Sequence, residues 1–254
     1  MRIKKSALLI FLLIVFPIIK QNYFPQVKLS YQVIEEFHIP GKEIGGLWVL
    51  KDTLILYDKI ENKIHKINLL TKKHVDSVKL TDDNIISISI DPQTEEVIAI
   101  DKNSNFLLGY YDKKGNHFIR KKNLNEFILN DNIIDVVKRI CITKEFYLVS
   151  TSCGWSSGIY AITKNLDNIN FISYTKGTPP GALTFDNKNI WSLTKKNPNG
   201  GGILCRYSQM GVIDAFVEVY IENPTYICYD GQYFWIADNI GSKITKINVI
   251  WKEK

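Results

Sequence analysis

Ala182-Leu-Thr-Phe-Asp-Asn-Lys-Asn-Ile-Trp191 and Tyr226-Ile-Cys-Tyr-Asp-Gly-Gln-Tyr-Phe-Trp235 follow one plan: an apolar stretch, a tight turn opened by Asp, and a second apolar stretch carrying a Trp. Pro180 and Pro224 extend the match upstream. Arg139-Ile-Cys-Ile-Thr-Lys-Glu-Phe-Tyr-Leu148 repeats the scheme, with Cys141 on the position of Cys228. Two earlier copies are Gly46-Leu-Trp-Val-Leu-Lys-Asp-Thr-Leu-Ile-Leu-Tyr-Asp58 and Ile86-Ser-Ile-Ser-Ile-Asp-Pro-Gln-Thr-Glu-Glu-Val-Ile-Ala-Ile-Asp101. Taken from Gly46, Ile86, Arg139, Ala182 and Tyr226, the starts are 40, 53, 43 and 44 residues apart.

A third segment in each copy is clearest in Lys63-Ile-His-Lys-Ile-Asn68 and Lys243-Ile-Thr-Lys-Ile-Asn248, where apolar and polar residues alternate. A period of two marks a half-buried strand, not a helix. Units of four short strands recurring every 40 to 50 residues or so have the spacing of propeller blades. The sequence therefore predicts an all-β protein, a β-propeller of about five four-stranded blades. Six blades is the alternative if residues 124–137 contain a degenerate unit.

The last copy ends after its third strand, near Val249, while Ser30-Tyr-Gln-Val-Ile-Glu-Glu-Phe-His38 has strand character and no partner nearby in sequence. It is expected to close the ring as the outer strand of the C-terminal blade, covering an edge that would otherwise invite pairing with other chains. The run Phe234-Trp-Ile-Ala-Asp-Asn-Ile-Gly-Ser-Lys-Ile-Thr-Lys-Ile-Asn248 resembles the blades of the NHL-repeat and strictosidine-synthase-like propeller superfamily, with their aromatic-Val-Ala-Asp, turn and basic-Ile-x-x-Ile pattern. The resemblance spans roughly residues 46–249 and is weaker in the second and third blades. It implies blade architecture and no single activity.

Residues 1–24 differ from the rest. Arg2, Lys4 and Lys5 precede an uncharged apolar run from Ala7 to Ile19 that Lys20 ends. The run is short for a membrane-spanning helix and has the pattern of a secretory signal. No small-x-small cleavage site follows, so an uncleaved anchor stays open beside a cleaved signal peptide, and no Cys at its end indicates a lipoprotein. The expectation is a secreted, periplasmic or cell-surface protein that meets the membrane only through this segment, with residues 25–254 forming the propeller domain.

Of the 254 residues, 45% are hydrophobic and 23% charged, as in a globular domain. The formal charge of +6 comes mostly from the N-terminal segment, which holds four of 32 basic residues and leaves 28 against 26 acidic ones. That balance excludes a nucleic-acid surface. A monomer is expected.

Antiparallel order sends the first-to-second and third-to-fourth turns to one face, where links such as Lys51-Asp52, Lys144-Glu145 and Asp230-Gly231 are short. The opposite face receives the second-to-third loops and the interblade connections. It holds residues 124–137, the loops Ser152–Gly158 and Lys195–Gly202, and the link His38–Gly45. Long loops on a rigid scaffold are where binding resides, so a site is expected there. Trp155, set among Gly and Ser, fits no strand alternation and offers a stacking surface for a glycan or protein, or else a cap on the core beneath it. Cys153 beside it is the one cysteine placed for exposure. Glu126, Asp131, Asp135 and Glu222 lie on interblade connections and can approach the channel mouth.

Asp58, Asp101 and Asp238 each end a second strand, and their repetition points to carboxylates that fix turns by accepting backbone N–H bonds. Cys141, Cys205 and Cys228 are expected to be buried thiols, with Cys141 and Cys228 too far apart to join. His38, His65, His74 and His117 show no ligand spacing, so a histidine metal site is not expected. No acid–base set or nucleophile stands out. The sequence thus favours a noncatalytic binding or scaffold module without a cofactor, taking a protein or glycan partner.

Two resemblances offer alternatives. Gluconolactonase-type propellers imply a hydrolase or lactonase with Ca²⁺ or another divalent cation at the channel mouth. Glu43 and Asp238 would then be ligands, with Asn197 or Asn199 as amide donors. Plant-type glutaminyl cyclotransferases are similar in size, export and blade number. Their Phe-Thr-Gln-Gly-Leu and Gly-Glu-Gly-Trp-Gly segments are missing here.

Overall fold

Alternating apolar and polar residues fold the described chain into short strands and, among the described residues, no helix. A computed structural model describes residues 26–39, 43–81, 84–91, 93–101, 107–111, 118–123, 136–152, 158–165, 167–174, 181–196, 200–208, 210–239 and 242–251. Strands β1 (Val27–Lys28) and β2 (Ser30–His38) precede the first repeat. That repeat supplies β3 (Ile44–Leu50), β4 (Thr53–Asp58), β5 (Lys63–Asn68) and β6 (His74–Lys79). The second supplies β7 (Ile85–Ile90), β8 (Val97–Asp101), β9 (Leu107–Tyr111) and β10 (Phe118–Asn123). The third gives β11 (Val136–Ile142), β12 (Phe146–Ser152), β13 (Gly158–Thr163) and β14 (Ile169–Tyr174). The fourth gives β15 (Ala182–Phe185), β16 (Ile190–Lys195), β17 (Gly202–Tyr207) and β18 (Ile213–Val219), and the last β19 (Pro224–Tyr229), β20 (Phe234–Asp238) and β21 (Lys243–Ile250).

Within each repeat the strands pair antiparallel in sequence order, so the first strand forms one edge of its sheet. Two sheets borrow a strand from the N-terminal side. β2 lies antiparallel on β21, with Val33 opposite Ile247 and Phe37 opposite Ile244. β1 adds in parallel to β18, with Val27 opposite Ala215, a pairing the sequence did not signal. First strands pack in succession, β3 on β7, β7 on β11, β11 on β15 and β15 on β19, and β19 returns to β3. The result is a propeller-like ring.

Sheets stacked side by side bury both faces, which is why the second strands are rich in apolar residues, as in the fully buried Val97–Asp101 and Phe234–Asp238. Four apolar clusters fill the spaces between sheets. Ile55, Tyr57, Ile88 and Ala99 join the first sheet to the second, and Ile98, Ile100, Ile140 and Val149 join the second to the third. Leu148, Ile159, Leu183 and Tyr207 join the third to the fourth. A larger cluster around Trp191, Trp235, Leu47 and Val217 unites the fourth, the last and the first.

The repeated Asp of the first turn explains the repeated Trp. Asp230 Oδ1 accepts the backbone N–H groups of Gln232 (2.8 Å) and Tyr233 (2.7 Å), and its Oδ2 accepts Trp235 Nε1–H at 2.7 Å. Asp186 does the same with Lys188, Asn189 and Trp191 Nε1, the last also at 2.7 Å. One carboxylate thus orders the turn and satisfies the polar atom of a buried indole. In the third repeat Thr143 Oγ1 accepts the N–H groups of Glu145 and Phe146 in its place. Replacing Asp230 with Ala should cost about 1–3 kcal/mol, because the Trp235 N–H is then buried without an acceptor. Urea unfolding followed by Trp fluorescence checks this, and a loss near zero would mean the indole bond contributes nothing.

Candidate functional site

The centre of the ring is built by a repeated irregularity. Pairing of the first strand with the second slips by one residue between Ile44 and Gly46, between Ile85 and Ser87, between Val137 and Arg139, and between Pro224 and Tyr226. A bulge re-aims the side chain that follows it. Ser87, Arg139 and Tyr226 occupy that place in β7, β11 and β19. Tyr226 Oη meets Ser87 Oγ at 2.7 Å, and Ser87 Oγ also accepts Ile140 N–H at 3.3 Å. Since β19 and β7 are not neighbours in the ring, the Tyr226–Ser87 bond spans its centre. The Arg139 guanidinium lies over the Tyr226 ring, 4.8 Å from its centroid. Arg139 Nε is buried without a hydrogen-bond partner among the described residues. Burial pushes the Tyr226 phenol upward, against the opposing pull of Arg139 and Ser87.

Gly46 holds the same place in β3 and contributes no side chain. A Cβ there would run into the Trp48 ring, which occupies the vacated space and donates Nε1–H to Ser89 Oγ at 3.2 Å. Cys141 and Cys228, both two residues past a bulge residue's successor, are free thiols, as is the buried Cys205. Burial pushes the Cys141 thiol up to about 12 and that of Cys228 well above its usual value.

On the loop-rich face, Trp155, Cys153, Glu126, Asp131 and Asp135 lie outside the described residues, as do Asn197 and Asn199. Glu222 is described and exposed. It lines an open cleft of about 380 Å³ with Lys196, Gly200, Gly201, Glu218 and the backbone from Val219 to Ile221. Gly201 N–H donates to Ile221 O at 3.0 Å, fastening the β16–β17 loop to the connection between β18 and β19. Gly200 and Gly201 have φ of 111° and 80°, a backbone that other residues adopt with strain. Glu218 bridges Lys196 (3.0 Å) and Lys28 (2.9 Å), and these two ammonium groups hold its carboxyl below the usual range. Tyr220 is 80% exposed at the cleft wall, its N–H donated to Tyr31 Oη at 2.9 Å. Nothing in the alternation of β18 marks Tyr220, which follows its last residue.

Glu43 forms an ion pair with Lys59, and Asp238 is buried at the end of β20. The two lie near each other, since Ile44 N–H donates to Asn239 Oδ1 at 3.0 Å. Among the described residues no three His, Cys, Asp or Glu side chains gather as a metal site would require. Asp58 fixes a turn, its Oδ1 accepting Ile60 N–H (2.8 Å) and Glu61 N–H (3.3 Å). Between the second and third sheets, Asp91 pairs with Lys164. Burial opposes ionisation of Asp91, but Lys164 and the N–H groups of Gln93 and Thr94 outweigh it and hold the carboxyl below its usual range.

His65 and His74 are nine positions apart, yet the β5–β6 hairpin brings His65 Nδ1 to 3.3 Å from His74 Nε2. The register slip between Lys66 and Ile67 places His74 opposite Ile67, on the face of the sheet that His65 shares.

Sheets packed by their first strands into a ring define a β-propeller. The crystal structure of Myxococcus xanthus glutaminyl cyclase is similar, with a TM-score of 0.63 and 11% identity over 89% of this chain and 100% of that one. The PQQ-bound aldose sugar dehydrogenase of Streptomyces coelicolor is also similar, with a TM-score of 0.54 and 14% identity over 87% of this chain and 82% of the other. At these identities the likeness is one of fold. No family model matches the chain, and no curated protein matches its sequence.

Tyr226→Phe should destabilise the ring by about 1–2 kcal/mol, since it removes the bond that spans the centre and keeps the ring that Arg139 covers. The check is chemical denaturation at an unchanged m-value. Stability equal to that of the unaltered protein would remove the bond from any role in holding the blades together.

Proposed function

We propose that this chain is an exported propeller acting as a noncatalytic binding module, and that it takes a glycan or extended peptide on its loop-rich face. The observation that carries this reading is the cleft beside Glu222. It joins an exposed aromatic, Tyr220, to charged hydrogen-bonding groups on Glu218, Glu222 and Lys196, over a loop tied down by the Gly201–Ile221 bond. An aromatic face with polar groups at its rim suits sugar rings and peptide backbones. Attention turns outward because Tyr226, Ser87 and Arg139 at the centre of the ring engage one another. Trp155 and Cys153, with Glu126, Asp131 and Asp135, belong to the same proposed face.

Titration of the protein without residues 1–24 against defined oligosaccharides and extended peptides, by calorimetry, tests the reading. At least one class should bind, and Tyr220→Ser should weaken it about tenfold or more, the scale of a lost aromatic anchor. Binding that ignores both Tyr220→Ser and Glu222→Gln would place the partner elsewhere.

A second reading follows from the coextensive fold of glutaminyl cyclase. Cyclisation of a peptide with N-terminal Gln by the purified protein would support it over the noncatalytic one.

We further propose that the ring has five blades and that β2 closes it. Support comes from the eight paired positions of β2 on β21 and from Glu36, which accepts Thr245 Oγ1–H at 2.9 Å and pairs with Lys243 at 3.0 Å. The Lys243 and Thr245 contacts hold the Glu36 carboxyl below its usual range. Deleting Ser30–His38 should lower the thermal midpoint by about 10 °C or more, given roughly 2–4 °C per kcal/mol at this size. An unchanged midpoint by scanning calorimetry would refute closure by this strand.

A further inference from the structure

Beyond the loop-rich face, the first sheet carries a pair of imidazoles that no turn or core contact requires. His65 sits on β5 with 5% of its surface exposed, whereas His74 at the start of β6 is exposed. Their rings meet edge to face at 67°, with centroids 5.4 Å apart. The facing nitrogens, His65 Nδ1 and His74 Nε2, are 3.3 Å apart, longer than the usual hydrogen-bond range of about 2.7–3.2 Å. Two imidazole nitrogens bound tetrahedrally to one ion at about 2.0–2.1 Å would stand roughly 3.3–3.4 Å apart.

The remaining nitrogen of His65 points the same way. His65 Nε2 is buried without a hydrogen bond, and the Glu61 carboxylate lies 3.8 Å from it. Glu61 is positioned by Lys63 at 3.0 Å. When Nδ1 of an imidazole binds a metal, the proton resides on Nε2, and a carboxylate that accepts it fixes that tautomer and strengthens the ligand; at 3.8 Å Glu61 stands just outside hydrogen-bond range, and a small shift of its exposed side chain closes the gap.

We propose that His65 Nδ1 and His74 Nε2 form a surface binding site for a divalent transition ion of the Zn²⁺ or Cu²⁺ class, with water completing the coordination and Glu61 as the carboxylate behind His65. Imidazole is the donor these ions prefer, and two neutral nitrogens without a carboxylate in the first coordination sphere disfavour Ca²⁺ and Mg²⁺. Bound there, the ion clips β5 to β6, the outer half of the first sheet.

The test uses untagged protein. Calorimetric titration with Zn²⁺ should give one equivalent of bound ion, and Cu²⁺ should give an electron paramagnetic resonance spectrum with coupling to two nitrogens. His74→Ala alters an exposed side chain, so the fold is retained, and it should weaken Zn²⁺ binding about tenfold or more and leave one coupled nitrogen. Glu61→Gln should weaken binding about tenfold while both nitrogens stay coupled, a loss typical of removing an outer-sphere partner. Zn²⁺ should raise the thermal midpoint of the unaltered protein and leave that of His74→Ala unmoved. No bound equivalent, binding unchanged in His74→Ala, or binding abolished by His117→Ala would each overturn the assignment.

Discussion

Room at the axis governs the structure. The first strands converge there, and in β3, β7, β11 and β19 a bulge re-aims the residue that follows it, at positions where the close packing of protein interiors leaves little space. The chain meets this by grading size around the ring. Tyr226 crosses the centre, Arg139 lies flat on it, Ser87 is small enough to be bonded from two sides, and Gly46 withdraws so that Trp48 can turn inward. Enlarging any one of these would push its blade outward and open the apolar seams beside it. The polar character of the centre has the same origin, since buried backbone N–H groups such as that of Ile140 must find acceptors.

Once the axis is filled, the seams between blades carry the stability. They are apolar, and two of them carry a polar link as well: Asp91 with Lys164 between the second and third sheets, Ile44 N–H with Asn239 between the first and last. The Asp–Trp pairs of the fourth and last sheets tie turn geometry to seam packing, because Trp191 and Trp235 belong to the shared cluster. A repeat protein whose units contact only their neighbours depends on such nearest-neighbour terms. The seam joining the last sheet to the first is the one that makes a chain of blades into a ring.

The fold was legible because its signals are local. Alternation in Lys63–Asn68, Asp186 and Asp230 at the head of their turns and the spacing of Trp191 and Trp235 are properties of short stretches, and the structure turns each into the expected strand or turn. Asp58 was read correctly as a turn residue for the same reason. What the sequence concealed depends on register. A one-residue slip reverses which face a side chain occupies, and no residue type announces it. The bulges before Ser87, Arg139 and Tyr226 and the slip before His74 are all of this kind, which is why the central plug and the imidazole pair were invisible as patterns. Tyr220 escaped for a different reason: exposure of an aromatic after the end of a strand is set by what packs around it. Of the loop residues marked from sequence, Glu222 alone among the proposed binding set falls within the described chain, and it lies in the cleft that Tyr220 borders.

A filled centre also bears on where such a protein can acquire function. In an open-channelled propeller, side chains from several blades can meet around a ligand at the axis. Here the residues best placed to do so are bonded to one another, and Arg139 contributes its charge to the face of Tyr226 instead of to an open mouth. Chemistry is then left to positions where one sheet or one pair of adjacent loops suffices. The cleft between the β16–β17 loop and the connection before β19 needs a single blade and its exit, and the imidazole pair needs a single hairpin. Both can change without disturbing the plug. The contacts at the centre and the arrangements at the periphery thus draw on separate sets of residues.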